Sequence, residues 1–393
     1  MRPRRAGPHK AVQWAAGVAA SWRMRILHVH SGNLYGGVET LIATLARDQE
    51  LCPSIEHEFA LCFPGRIAQE LVAAGATVRP LGAVRLRYPV SIYRARKRLR
   101  RILREGRFDL VVCHMAWAYG VFAAAARRAG TPVVLWLHDA FGARGWAGWW
   151  IRRRTPNALL ANSQFTKEAW DGVFPETPTS IVHYPVTRPK PSADFDRKET
   201  RGRLGADSDS VVLIQVSRMQ PWKGHANLLS ALALLKDRKE WVCWMVGGAQ
   251  RPVEKDYVES LKRMASELGI ADRIHFTGER RDVADLMAAA DIYCQSNAEP
   301  EPFGIAFVEA LYSGLPVVTS AFGGAVEVVT ADCGTLVAPN NPRSLADALT
   351  PLLSDRGRLA RLAAPARGRA ARLCDPAAQM EKLGRTLAAV ARG

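Results

Sequence analysis

The chain has 393 residues, 48% hydrophobic and 23% charged, a globular composition with room for two or three domains. Disorder throughout, a collagen-like repeat and a disulfide scaffold are excluded. Its 54 Lys and Arg stand against 37 Asp and Glu, and the excess sits in one half: residues 1–190 hold 28 basic against 12 acidic side chains, residues 191–393 hold 26 against 25. The first half therefore faces something anionic, with nucleic acid, an anionic membrane surface and an acidic substrate as the open classes.

Residues 1–23 read as a basic N-terminal extension. Three readings stay open for it: a start at Met24, a surface-lying basic helix, or a secretory signal with a weak apolar region. The uncharged run Ala11 to Trp22 is shorter than the roughly 20 residues that cross a bilayer. Beyond it, short apolar runs at 25–30, 57–62, 109–113, 132–137, 157–161 and 179–183 alternate with helical patterns such as 37–48, 91–105 and 117–129. This alternation predicts a parallel sheet covered on both faces, in a domain over 24–190.

Residues 184–209 lack apolar periodicity, and 191–209 is read as a linker. A second series follows over 210–355. Its strands are expected at 211–216, 241–246, 273–276, 291–294 and 316–318. Its helices are expected at 223–236, 254–268, 282–289, 304–313 and 342–354. The Ala/Arg/Leu-rich tail 356–393 reads as helices broken near Pro376, packing back toward the first domain. The fold class is α/β, two doubly wound parallel-sheet domains facing a cleft, where open sheets of this kind bind ligands. Seven cysteines, odd in number and without a CxxC pair, read as reduced thiols of a cytoplasmic protein.

Two segments carry chemistry. In Ser217–Gly224 (SRMQPWKG) a strand ends, and Arg218 and Lys223 sit five residues apart across a proline turn. Two cations at a strand's carboxyl end suit a diphosphate; two solvated surface charges are the plain alternative. In EPEPFGIAFVEALYSGLPVV, Glu301 precedes Glu309 by eight residues. Phe303-Gly304-Ile305 opens a helix whose unpaired N–H groups favour anions. Glu309 lies inside an otherwise apolar helix, so it is expected to be buried and to need a partner. The triplet Asp207-Ser208-Asp209 at a linker's end reads as surface.

These segments, with GGAVEVV after them, resemble the retaining nucleotide-sugar glycosyltransferases of the GT4 type. Earlier pieces agree: MRILHVHSGNLYGGVETLIATLA, LWLHDAF and ANSQFTKE. The resemblance covers about 24 to 355. It implies the GT-B fold, two Rossmann-like domains, and site roles position by position. Arg218 and Lys223 would hold the donor diphosphate, Glu309 the ribose, and Glu301 with the amides of Phe303, Gly304 and Ile305 the donor sugar. Gly36 and Gly37 would let the first glycine loop approach the diphosphate. His138 would contact the donor sugar near the reacting carbon, His138, Glu301, Arg218 and Lys223 forming the catalytic set. Arg281, Val283, Gly324 and Glu327 are weaker donor-site candidates. Relatives often carry Asn-Gly where this chain has His183-Tyr184-Pro185-Val186, which puts that hinge-side contact in doubt. No metal and no cofactor are expected; the nucleotide-diphosphate sugar, UDP-, GDP- or ADP-linked, is a substrate.

Residues 85–107 contain ten Lys/Arg and one acid, Glu105. Arg94, Arg96, Lys97, Arg98, Arg100 and Arg101 stand beside Ile92, Ala95, Leu99, Ile102 and Leu103 at helical spacing. Arg152-Arg153-Arg154 follows Trp146, Trp149 and Trp150. These patterns suit an anionic membrane surface or, more plainly, a solvated helix face. The expectation is a hexosyltransferase on the inner face of the plasma membrane, acting on a lipid-linked or polysaccharide acceptor. A nucleic-acid partner is not expected, because no helix-turn-helix, zinc or RNP pattern appears. A sugar-nucleotide epimerase, a phosphorylase of the same fold and a non-catalytic anionic-ligand-binding protein are the alternatives.

Overall fold

A computed structural model describes residues 23–392 except 34, 141–147, 149 and 150. Most of the N-terminal extension and Trp146, Trp149 and Trp150 therefore lie outside the described residues. Two all-parallel sheets organise the rest. The first runs β3-β2-β1-β4-β5-β6-β7, from β1 (Met24–His30), β2 (Ile55–Leu61), β3 (Thr77–Pro80), β4 (Leu110–His114), β5 (Val133–Leu137), β6 (Ala158–Ala161) and β7 (Thr179–Ile181). The second runs β10-β9-β8-β11-β12-β13, from β8 (Val211–Val216), β9 (Trp241–Val246), β10 (Ile274–Gly278), β11 (Ile292–Gln295), β12 (Val317–Ser320) and β13 (Gly334–Val337).

The central strands are buried on both faces, which is why VVLIQV and WVCWMV are apolar without alternation. Register is set early, with Ile26 paired to His57 on one side of β1 and to Leu110 on the other. In each sheet the order reverses beside the first strand, between β1 and β4 and between β8 and β11. The two reversal points face each other across the cleft.

Four helices of the first domain matter below: α1 (Gly37–Arg47), α2 (Arg66–Ala73), α3 (Pro89–Gly106) and α4 (Met115–Arg127). The short elements β3, α2, Gln164–Trp170 and β13 have patterns too brief for periodicity to reveal.

The segment read as a linker holds a helix, Arg197–Arg203, packed on the helix Val283–Ala289. Buried Arg201 anchors it, donating to Asp291 Oδ2 at 3.0 Å and to the carbonyls of Ala289, Asp207 and Ser210. This stretch thus belongs to the second domain. Its charges, which looked like solvation, satisfy one another and orphan carbonyls. Asp207 caps the turn before β8, accepting from the amides of Asp209 and Ser210.

At the other end, the helix Ala366–Cys374 packs on Ile305–Ser313, and Pro376–Arg392 crosses to the first domain. There Gly384 lies against Cys52 and Ile55. All seven cysteines are buried and unpaired.

Helix α3 corrects one expectation. Ala95, Leu99, Ile102 and Leu103 face the core, so the apolar stripe closes the domain and is not offered outward. Arg96 and Arg98 are spent on carbonyls, Arg96 on Val121 at 2.6 Å and Arg98 on Leu81 at 2.9 Å. The exposed apolar groups are instead Leu86, Tyr88, Val90 and Tyr93 at the helix entrance, where Tyr93 is 61% exposed. Beside them Arg94, Lys97 and Arg101 are exposed, and Arg96, Arg100 and Arg128 line a shallow groove with Ile92 and Tyr93.

Candidate active site

A cleft of about 440 Å³ lies between the carboxyl ends of the two sheets. Its second-domain wall is made by turns whose shape the sequence forces. After β8 the turn Pro221–Lys223 ends at Gly224, with φ 76°. A Cβ there would stand 1.7 Å from the Ser296 carbonyl oxygen, so only glycine fits. Ala298 N donates to Trp222 O at 2.8 Å, and Gln215 Nε2 to Lys223 O at 2.9 Å.

Lys223 is thereby aimed at the loop after β11. Its Nζ donates to Glu301 Oε2, and it rests over the Trp222 ring. Asn297 Nδ2 donates to the same carboxylate oxygen at 3.1 Å. A relay behind it, Tyr293 to Gln295 to Asn297, fixes that amide's orientation. Arg218 pairs with Glu254 at 2.5 Å. Burial alone would push the Glu254 carboxyl up, but the Gln250 amide and Arg218 hold it below the ordinary range. In sequence Glu254 reads only as a first-turn helix carboxylate.

Gly304, at φ 95°, opens the helix Ile305–Ser313. A Cβ on it would collide with the Phe307 ring, so the bare backbone and its N–H groups meet the cleft. One and a half turns on, Glu309 lines the cleft half-buried. Its carboxylate has no hydrogen bond to a described residue, and burial pushes it up to about 7. The partner that the sequence demands is therefore not found among the described residues, and the carboxylate is open to a group in the cleft.

Across the cleft, Gly36 and Gly37 open α1, and Gly37 lies against Ile305. Two contacts bridge the mouth: Gln250 Nε2 to Tyr35 O at 3.0 Å, and Arg66 to Glu279 at 3.1 Å. Below, Ser163 Oγ donates to Pro302 O at 2.6 Å.

Three expected residues are placed elsewhere than the resemblance implied. Arg281 is exposed and off the cleft; its neighbour Arg280, paired with Asp282, lines it together with Val283. Gly324 donates its N–H to Glu301 O at 2.6 Å and so braces the loop from behind. Glu327 accepts from Phe165 N at 3.0 Å and pairs with His183, a strut between the domains. His138 borders the cleft, but both ring nitrogens are engaged, Nε2 with His114 at 3.0 Å and Nδ1 with Tyr184 at 2.6 Å. It has no free ring nitrogen for a sugar hydroxyl.

Among the described residues, no group of three or more His, Cys, Asp or Glu side chains is placed to hold a metal ion. No helix there is long and apolar enough to cross a membrane.

The model for "Glycosyl transferases group 1" matches residues 196–369, and that for "Glycosyltransferase Family 4" matches 35–187. The chain is 40% identical over 185 residues to a D-inositol 3-phosphate glycosyltransferase of Xylanimonas cellulosilytica, covering 46% of this chain and 43% of that protein. It thus spans under half of that relative's length. It is 28% identical over 285 residues to a GDP-mannose-dependent monoacylated alpha-(1-6)-phosphatidylinositol monomannoside mannosyltransferase of Corynebacterium glutamicum, covering 68% and 72%. Anabaena HepE, solved in complex with UDP and glucose, superposes with a TM-score of 0.81 at 26% identity, over 93% of this chain and 100% of that one. Two family models, one on each sheet, and this superposition across both domains place the chain: it has the GT-B fold and belongs to the GT4-type group 1 glycosyltransferases.

Proposed function

We propose that the protein is a retaining glycosyltransferase. It moves a hexose from a nucleotide-diphosphate sugar to a lipid-linked or cell-envelope glycan acceptor at the inner face of the plasma membrane. The observation that carries this reading is the facing of two walls. Lys223 and Arg218, each held by a carboxylate, and the helix N-terminus at Gly304 present N–H donors on one side, and a side-chain-free glycine loop faces them from the other. That is a seat for a diphosphate with a sugar between the domains.

In this reading Arg218, Lys223 and the Gly304 helix start stabilise the charge that grows on the leaving diphosphate. Glu301 and the amides of Phe303 to Ile305 hold the sugar, and Glu309 takes the ribose hydroxyls. The acceptor hydroxyl attacks on the face the nucleotide leaves, and a donor phosphate oxygen takes its proton. Catalysis is then positioning plus charge stabilisation, with no metal in the charge balance.

The nucleotide is tested by thermal shift with UDP, GDP, ADP and their hexose conjugates. One diphosphate at a hundredfold excess over Kd should stabilise by about 2.7 kcal/mol. No shift with any of them in the folded protein overturns the donor site.

The acceptor side rests on the first domain's charge and on Leu86, Tyr88, Val90 and Tyr93 among exposed cations. Cosedimentation with phosphatidylglycerol vesicles at low salt should be strong. It should weaken at 0.5 M salt and in a Val90→Ser/Tyr93→Ser variant. Failure to sediment at low salt sinks the membrane reading and leaves the donor site standing.

A further inference from the structure

Five histidines stand on one face of the first sheet: His30, which pairs with Glu39, and a chain of four, His57 on β2, His28 on β1, His114 on β4 and His138 just after β5. These strands are neighbours in that order, and the rings join head to tail. His57 Nδ1 meets His28 Nε2 at 2.8 Å, His28 Nδ1 meets His114 Nε2 at 2.9 Å, and His114 Nδ1 meets His138 Nε2 at 3.0 Å. His138 Nδ1 meets the Tyr184 hydroxyl at 2.6 Å, and Asn162 Nδ2 donates to the same oxygen at 3.0 Å. At the far end His57 Nε2 is buried with no partner among the described residues. At the near end Tyr184 borders the cleft, its ring edge-on to Phe303.

Every link joins an Nδ1 to an Nε2, so one choice of tautomer runs through all four neutral rings. A mixed chain would set two N–H groups, or two lone pairs, against each other at some link. If every ring carries its proton on Nε2, the chain ends at His57 in a buried N–H without an acceptor, and Tyr184 spends its proton on His138. If every ring carries it on Nδ1, the chain ends in a bare lone pair, the less costly of the two orphans. The Tyr184 oxygen then accepts from both His138 and Asn162, and its own O–H, which has no further hydrogen-bond partner among the described residues, is left to the cleft.

We infer that the histidine chain locks Tyr184 as a hydrogen-bond donor to an oxygen of the donor sugar, with His138 and His114 as positioning residues and not sugar contacts. The role rests on the transferase reading above; the polarity does not. Burial, reinforced by neighbouring rings, lowers His28 and His114, and burial foremost lowers His138 and His57, so the chain stays neutral near pH 7. Burial likewise raises Tyr184, which keeps its proton.

Long-range ¹H–¹⁵N correlation on histidine-labelled protein reads the tautomers directly. All four rings should be protonated on Nδ1; protonation on Nε2 at His57 or His138 overturns the inference. In the assay, Tyr184→Phe should lower kcat about 10- to 100-fold and leave the thermal shift by the bare nucleotide diphosphate unchanged. His114→Phe should lower kcat in the same way and add nothing in the Tyr184→Phe background. Full activity of Tyr184→Phe overturns the inference, as do additive losses in the double variant. Should His114→Phe fail to fold, the wild-type spectra and Tyr184→Phe still decide. An inactive wild-type protein with every sugar nucleotide overturns the transferase reading, while the spectra still decide the polarity.

Discussion

Lys223→Ala should slow sugar transfer by about 10³-fold or more, equivalent to about 4 kcal/mol of transition-state stabilisation, and leave the protein folded. The effect is large because Lys223 does two things. Its charge would meet the leaving diphosphate as the glycosidic bond breaks, when negative charge grows most. Its ion pair with Glu301 also holds the carboxylate that, with the amides of the Gly304 turn, would bind the sugar. Without Lys223, the Glu301 carboxylate keeps only the Asn297 amide among the described residues. The fold should survive because the turn's shape belongs to Gly224, Gln215 and the Trp222 carbonyl, none of which the substitution touches. The melting temperature should therefore fall by only a few degrees.

Glu309→Ala is the companion. Its carboxyl has no hydrogen bond to a described residue to lose, so the melt should hardly change while nucleotide affinity and turnover fall. Steady-state rates with the donor found by thermal shift measure both. Either variant turning over within tenfold of wild type sinks the site assignment.

Much of this site was legible in the sequence because its parts are local. A strand end, a proline turn with two cations, and a glycine opening a helix with glutamates eight apart are each spelled within twenty residues. What was not legible is what distant strands bring together. Glu254, the partner of Arg218, looks like any first-turn carboxylate until the helix Pro252–Glu267 is set beside β8. Glu327 looks like a donor contact until the interdomain strut to Phe165 and His183 appears. The amphipathy of α3 was visible, but periodicity says only that one face is apolar, not whether it meets core or lipid.

The histidine chain is the sharpest case. His28, His57 and His114 each occupy the inward parity of an apolar strand, and His138 follows β5. Each alone reads as a satisfied core histidine. The order β2-β1-β4-β5 makes them consecutive, and that order is fixed by crossovers tens of residues long.

Those same imidazoles should make the fold acid-labile. Burial drives His57 down to about 4 and His225 to about 3, and lowers His28, His114 and His138 well below 6.5. In the unfolded chain all five titrate near 6.5. Below that pH the unfolded state binds five protons that the native state refuses, so their contribution is full above 6.5 and is lost as pH falls toward the native values. Glu309 has the opposite sign. Its native value of about 7 lies above the unfolded 4.5, so it favours the native state as pH drops through that window. Between 6.5 and 4.5 the buried imidazoles outnumber Glu309, so unfolding takes up protons on balance and stability falls as pH drops. A domain stability of about 5–15 kcal/mol is small enough for the uptake of several protons, each worth about 1.4 kcal/mol per pH unit, to matter. The protein should therefore be stable at pH 7.5 and lose its cooperative fold near pH 5, before most carboxylates have titrated. Guanidinium unfolding at pH 7.5, 6.5, 6.0 and 5.5 measures the slope. His57→Leu, which removes the unpaired end of the chain, should lower the proton uptake by about one. A midpoint that does not move between pH 7.5 and 5.5 would mean that the rings are not held neutral by the fold, and the tautomer lock on Tyr184 would fall with it.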